Sequence, residues 1–124
     1  MTKSSLFFLT ATFTIIILGT FFLSKKGNQS NTNVSPTSYE YFWSDTCPHC
    51  SNVAKFIETW EKKDTFKMEK IEINKSSENT QLFLERGTQI CKISRNKLGV
   101  PLLVTPEGKC FFGDQPIIEF LKSI

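Results

Sequence analysis

The sequence is short of several things, and each shortage removes a class of function. Its basic residues never cluster. Three of the 15 Lys plus Arg are Lys3, Lys25 and Lys26, and they account for the whole formal charge of +3. From Gly27 onward basic and acidic residues balance, so no phosphate-backbone footprint is present and no nucleic-acid partner is expected. No glycine-rich phosphate loop is visible, and no internal repeat that would stack into a solenoid. A single histidine, His49, leaves one imidazole for the whole chain. No Ala-x-Ala-like cleavage site follows the amino-terminal apolar run, and no cysteine there could take a lipid.

That run is the first positive feature. Leu6 to Leu23, "LFFLTATFTIIILGTFFL", is uncharged throughout. About 18 or more consecutive apolar residues is the length of a transmembrane helix, whereas the apolar part of a secretory signal is typically about 7–15. The reading is an uncleaved anchor over residues 6–23 after a flank of 1–5, with a cleaved signal as the alternative. Lysines on both sides leave the positive-inside rule close to a tie. Residues 24–37 are polar and rich in Asn and Ser, and read as a flexible linker. The globular domain is expected over 38–124, enough for one modest core.

Within it the pattern alternates between strand and helix. "YEYFW", Tyr39 to Trp43, alternates around Glu40 and predicts a strand. Val53, Phe56, Ile57 and Trp60 recur at helical spacing after Pro48, to about Lys63. Phe66 to Ile73 predicts a second strand, whose imperfect alternation suggests burial on both faces. Ser76 to about Ser94 predicts a second helix, weakened at Gly87. Gly99 to Thr105 and "KCFF" predict a hairpin around "PEG", and Asp114 a helix cap with Pro116 in the first turn. The order β-α-β-α-β-β-α is an α/β class: a mixed four-stranded sheet flanked by helices. Phe42, Phe56, Trp60, Phe66, Phe111 and Phe120 are the expected aromatic core.

The chemistry sits in "CPHC", Cys47 to Cys50. The spacing alone admits a disulfide that turns over, half of a metal site, or a staple. A staple is poor, because so short a loop removes little chain entropy. A four-ligand zinc site would need Cys91 and Cys110, which lack paired spacing. A reactive thiolate fits better. At a helix N-terminus the first-turn N–H groups favour negative charge on Cys47, and His49 adds a second source; Pro48 and His49 are the tuning residues. Cys47 is then the nucleophile and Cys50, one turn on, the resolving cysteine. Cys91 and Cys110 are compatible with a second disulfide or with two buried thiols, since sequence does not fix connectivity.

Strand, CPHC, helix, then "GVP" opening a hairpin resembles the thioredoxin superfamily across Tyr39 to Ile124, close to its glutaredoxin-like and small membrane-anchored members, with the Pro-His pair of DsbA-type oxidases. The resemblance implies a thioredoxin-like fold and a redox disulfide Cys47–Cys50. It also implies a cis Pro101 facing that pair, and a substrate groove at Val100, Pro101 and Trp43. Two positions depart from the family. Tyr41 stands where a buried acid is common, with Glu40 one residue earlier, and Thr46 precedes Cys47 in place of tryptophan. The expected function is a membrane-tethered thiol–disulfide oxidoreductase needing no cofactor. Its domain would face the extracytoplasmic side, exchanging with protein or small-molecule thiols and disulfides and with a redox partner in or near the membrane. The alternative is a non-catalytic module on the same fold that binds Cu(I) or zinc, or a partner.

Overall fold

A computed structural model describes residues 35–124. The expected flank and anchor, and most of the linker, lie outside the described residues. Among the described residues no helix is long and apolar enough to cross a membrane.

The chain runs β1 (Tyr39–Trp43), α1 (Pro48–Thr59), β2 (Met68–Glu72), α2 (Ser77–Glu85), a π-helical turn (Arg86–Ile90), β3 (Leu102–Val104), β4 (Cys110–Phe112) and α3 (Asp114–Ser123). The sheet order is β2-β1-β3-β4. β1 is parallel to β2 and antiparallel to β3, which forms a hairpin with β4. The two-residue period of the strands therefore divides the interior in two. Tyr41 and Leu103 face α1 and α3, where they pack with Val53, Ile117 and Leu121. Phe42, Leu102 and Val104 face the other way, onto Ile71 and Phe83 of β2 and α2. Each fully buried side chain of this size contributes about 1.5–3 kcal/mol.

The aromatic residues divide the same way. Phe42 is fully buried on the α2 side. Phe56, Trp60, Phe66, Phe111 and Phe120 are only partly buried and cover the α1–α3 side as a contiguous layer. Phe111 and Phe120 stack at 4.3 Å, and Trp60 meets Phe66 edge-on at 5.4 Å.

Four local expectations need correction. α1 stops at Thr59, not near Lys63: Trp60 turns extended, and tight turns carry the chain back to β2. β2 is an edge strand with Glu69 and Lys70 exposed, so burial on both faces does not hold and only Ile71 is buried. The second helix does not continue to Ser94. Gly87 is buried against Leu98, and a Cβ there would overlap that side chain. The helix widens into a π turn, with the Cys91 N–H donating to the Arg86 carbonyl at 3.0 Å. It then ends as Lys92 adopts φ 56°. Asp114 is not a cap. Gly113 holds that position, with φ 93°, and Asp114 is the first helical residue. Its side chain is thereby released for another use.

Candidate active site

The site forms where β1 gives way to α1. The connecting residues are held from both ends. Ser44 is buried, and its hydroxyl accepts from Asn74 Nδ2 at 3.0 Å, so the segment after β2 braces it. The Cys47 N–H closes the turn by donating to the Ser44 carbonyl at 3.2 Å. Cys47 is then the N-cap of α1, in extended conformation, and Pro48 fills the first helical position, where no N–H is missed.

Cys47 and Cys50 form a disulfide with Cα atoms 5.2 Å apart. Their surroundings differ. Cys50 is 3% exposed, sealed in the first turn, while Cys47 is partly exposed at the helix mouth. The Cys50 N–H donates to Cys47 Sγ at 3.1 Å. That bond, with the helix dipole behind it, favours negative charge on Cys47 once the disulfide opens. The facing wall is the loop into β3. The Val100 carbonyl oxygen lies 3.5 Å from Cys47 Sγ, and the Val100–Pro101 peptide is cis. Val100 is partly exposed and Pro101 fully buried, so the backbone of Val100 is the surface presented to the sulfur.

His49 turns sideways along the rim. Its Nδ1 is 3.2 Å from Oδ2 of Asp114 at the start of α3. The same oxygen accepts from Asn52 Nδ2 at 2.6 Å. These bonds, Asn52 first and His49 second, hold the Asp114 carboxyl below the usual carboxylate range. Sequence reasoning missed Asp114 and Asn52. Asp114 is remote from the motif in sequence and read locally as a cap.

The structure brings Cys47, Pro48, His49, Cys50, Val100 and Pro101 to one place. Trp43, at the end of β1, is partly buried against the α1–α3 core, with its Nε1 buried and without a partner among the described residues. Tyr41 faces the same side. Its hydroxyl is likewise buried and unpartnered, and burial pushes its pKa well above the ordinary value. Glu40 points to the opposite face, where Arg86 binds it at 2.7 and 3.0 Å. The one signal for that pair was a charge inside an otherwise aromatic strand.

The open question of Cys91 and Cys110 is resolved as a second disulfide, Cα atoms 5.7 Å apart, joining the end of the π turn to β4. It sits on the α2 side of the sheet, packed with Ile90 and Val104. The four cysteines are thus two separate pairs, and among the described residues no group of three His, Cys, Asp or Glu could hold a metal ion.

No protein-family model, curated protein or solved structure matches this chain.

Proposed function

We propose that the chain is a thiol–disulfide oxidoreductase of the thioredoxin superfamily, with Cys47 as nucleophile and Cys50 as resolving cysteine. The observation that carries the reading is the asymmetry of the pair. Cys47 is open at a helix N-cap and accepts the Cys50 N–H at 3.1 Å, while Cys50 is buried one turn on. The arrangement suits exchange in either direction. Reduced Cys47 thiolate attacks a substrate disulfide, one substrate sulfur leaves with the electron pair, and a mixed disulfide forms. Cys50 thiolate then attacks Cys47 Sγ, releasing the second substrate sulfur and closing the Cys47–Cys50 bond. Run backward, the same steps oxidise a substrate dithiol. The Val100 carbonyl, 3.5 Å from Cys47 Sγ, lines the approach for a substrate chain.

Residues 6–23 are proposed to tether the domain as a single membrane span, with the domain on the extracytoplasmic side, where partners carry disulfides to exchange. Chemistry supports this placement more than the flanking lysines do.

The test uses the full chain in detergent. Wild type is expected to turn over a small disulfide and insulin, and Cys47→Ser to lose both. Equal turnover by Cys47→Ser removes the proposal. Equilibration with glutathione gives the direction: a potential near about −120 mV marks an oxidase and one near about −270 mV a reductase. Labelling of intact cells with a membrane-impermeant thiol reagent after mild reduction tests the placement. Cys47 labelled only after lysis would put the domain on the other side.

A further inference from the structure

His49 is mostly exposed, its side chain 68% open to solvent. An imidazole so exposed has no packing reason to keep one orientation, yet it faces a carboxylate that is itself firmly aimed. Oδ2 of Asp114 receives Asn52 Nδ2 at 2.6 Å and lies 3.2 Å from His49 Nδ1, while Oδ1 accepts the Gln115 N–H at 3.0 Å. Asp114 is only 14% exposed. It follows directly on Gly113, whose N–H donates to the Pro101 carbonyl at 3.0 Å. The carboxylate is therefore keyed to the loop that sets Val100 against Cys47, and it holds a ring carried by the opposite helix.

Resting on the exchange reading of Cys47–Cys50, we propose that Asp114 is a positioning residue for His49. Its carboxylate holds the ring as the Nδ1–H tautomer and leaves Nε2 to trade a proton with an incoming thiol. Which nitrogen of a neutral imidazole carries the proton is set by the bond the other one makes. With Nδ1–H engaged by Asp114, the free lone pair is on Nε2, in a side chain that is 68% open to solvent. In the oxidised protein the thiol gives its proton to Nε2, and its sulfur attacks Cys47 Sγ. The Cys47–Cys50 bond breaks, and the electron pair leaves on Cys50. His49 ends as an imidazolium paired with Asp114, Cys50 as a thiolate, and the substrate sulfur is joined to Cys47.

The charged surroundings are simple. α1 has no acidic residue in its first turn, and Asp114 is the acidic residue in the first turn of α3. Among the described residues Asp114 is the ion-pair partner of His49. The Asn52 and His49 bonds keep the Asp114 carboxyl below its ordinary range, so it is charged wherever thiols exchange. The competing role for Asp114 is a plain one: an acidic residue favouring the N-terminus of α3. That role makes no demand on the ring.

The two roles separate by spectroscopy and by a double-mutant cycle, on the full chain in detergent micelles. His49 is the only histidine, so 15N resonances of a histidine-labelled sample report it alone. The neutral ring in wild type is expected as the Nδ1–H tautomer, and in Asp114→Ala as a mixture of both. Reduction of the Cys47–Cys50 bond by dithiothreitol is expected to slow severalfold in Asp114→Ala and to a similar degree in His49→Ala, as loss of a positioned proton-transfer group should. The double variant should be no slower than His49→Ala. Asp114→Asn, the same shape without the charge, is expected to slow equally and carries the test if Asp114→Ala does not fold. An unchanged tautomer, an unchanged rate, or a double variant as slow as the product of the singles overturns the proposal. The tautomer readout needs no turnover. Failure of the exchange reading would show separately, as Cys47→Ser activity equal to wild type.

Discussion

Glu40 of β1 and Arg86 of the π turn meet inside the molecule through two hydrogen bonds of 2.7 and 3.0 Å, between residues 5% and 9% exposed. The pair locks the widened end of the second helix to the central strand. Breaking such a pair from one side leaves a charge stranded in the interior, which costs about 3–5 kcal/mol. Arg86→Met is expected to lose that much in urea denaturation, and Glu40→Met with Arg86→Met to recover most of it. A loss below about 1 kcal/mol in the single variant would mean that water reaches Glu40.

The two cysteines of the CPHC pair should separate chemically. Cys47 is partly exposed and accepts the Cys50 N–H, whereas Cys50 is 3% exposed. After mild reduction, iodoacetamide at weakly acid pH is expected to modify Cys47 well before Cys50, as read by peptide mass mapping. Equal rates at the two sites would deny the assignment of nucleophile and resolver.

Much of this architecture was legible in the sequence, because strand and helix periods state which face is buried. "YEYFW" puts Tyr41 and Phe42 on opposite faces, and the two cores follow. The CPHC pair announced a helix N-terminus by its proline and its flanking polar residues. What stayed hidden was long-range. Nothing local to Asp114 says that its carboxylate reaches His49, because that contact depends on how α1 and α3 dock. The π turn was hidden for a related reason: Gly87 reads as a weak helix residue until Leu98 is seen packed on it.

The second disulfide is a staple by its position. It spans a sequence separation of 19 residues and lies on the α2 side of the sheet, away from the helix mouth. Chain entropy for a loop of that length predicts about 3 kcal/mol of stabilisation. Replacing Cys91 and Cys110 together by alanine is expected to lose about that amount in urea while leaving the Cys47–Cys50 potential unchanged. A shifted potential would show that the two pairs communicate.

Acid should act through Asp114. The Asn52 bond, and after it His49, lowers its folded-state pKa below the unfolded value of about 3.9. The stabilisation is therefore complete above about pH 4 and is lost as the pH falls through the lower, folded value. Asp114→Asn is expected to be less stable than wild type near neutrality and to converge on it in acid, as read from urea midpoints at several pH values. A gap that stays constant with pH would mean that the carboxylate charge contributes nothing to folding.

Tyr41 provides a test of the opposite sign. Its side chain is 4% exposed, and its hydroxyl has no partner among the described residues. A buried, unsatisfied hydroxyl costs about 1–3 kcal/mol, so deleting it should stabilise the fold. Tyr41→Phe keeps the ring that packs against Val53 and Leu103 and removes only the oxygen. Urea denaturation is expected to show a gain of about 1 kcal/mol or more, with the slope unchanged because the same surface is exposed on unfolding. The same variant asks whether the hydroxyl serves the chemistry, since Tyr41 lies on the α1 side of the sheet and α1 carries Cys50. An unpartnered hydroxyl predicts a dithiothreitol reduction rate equal to wild type across pH. A less stable variant with a displaced pH profile would instead reveal a proton path from Tyr41 toward Cys50.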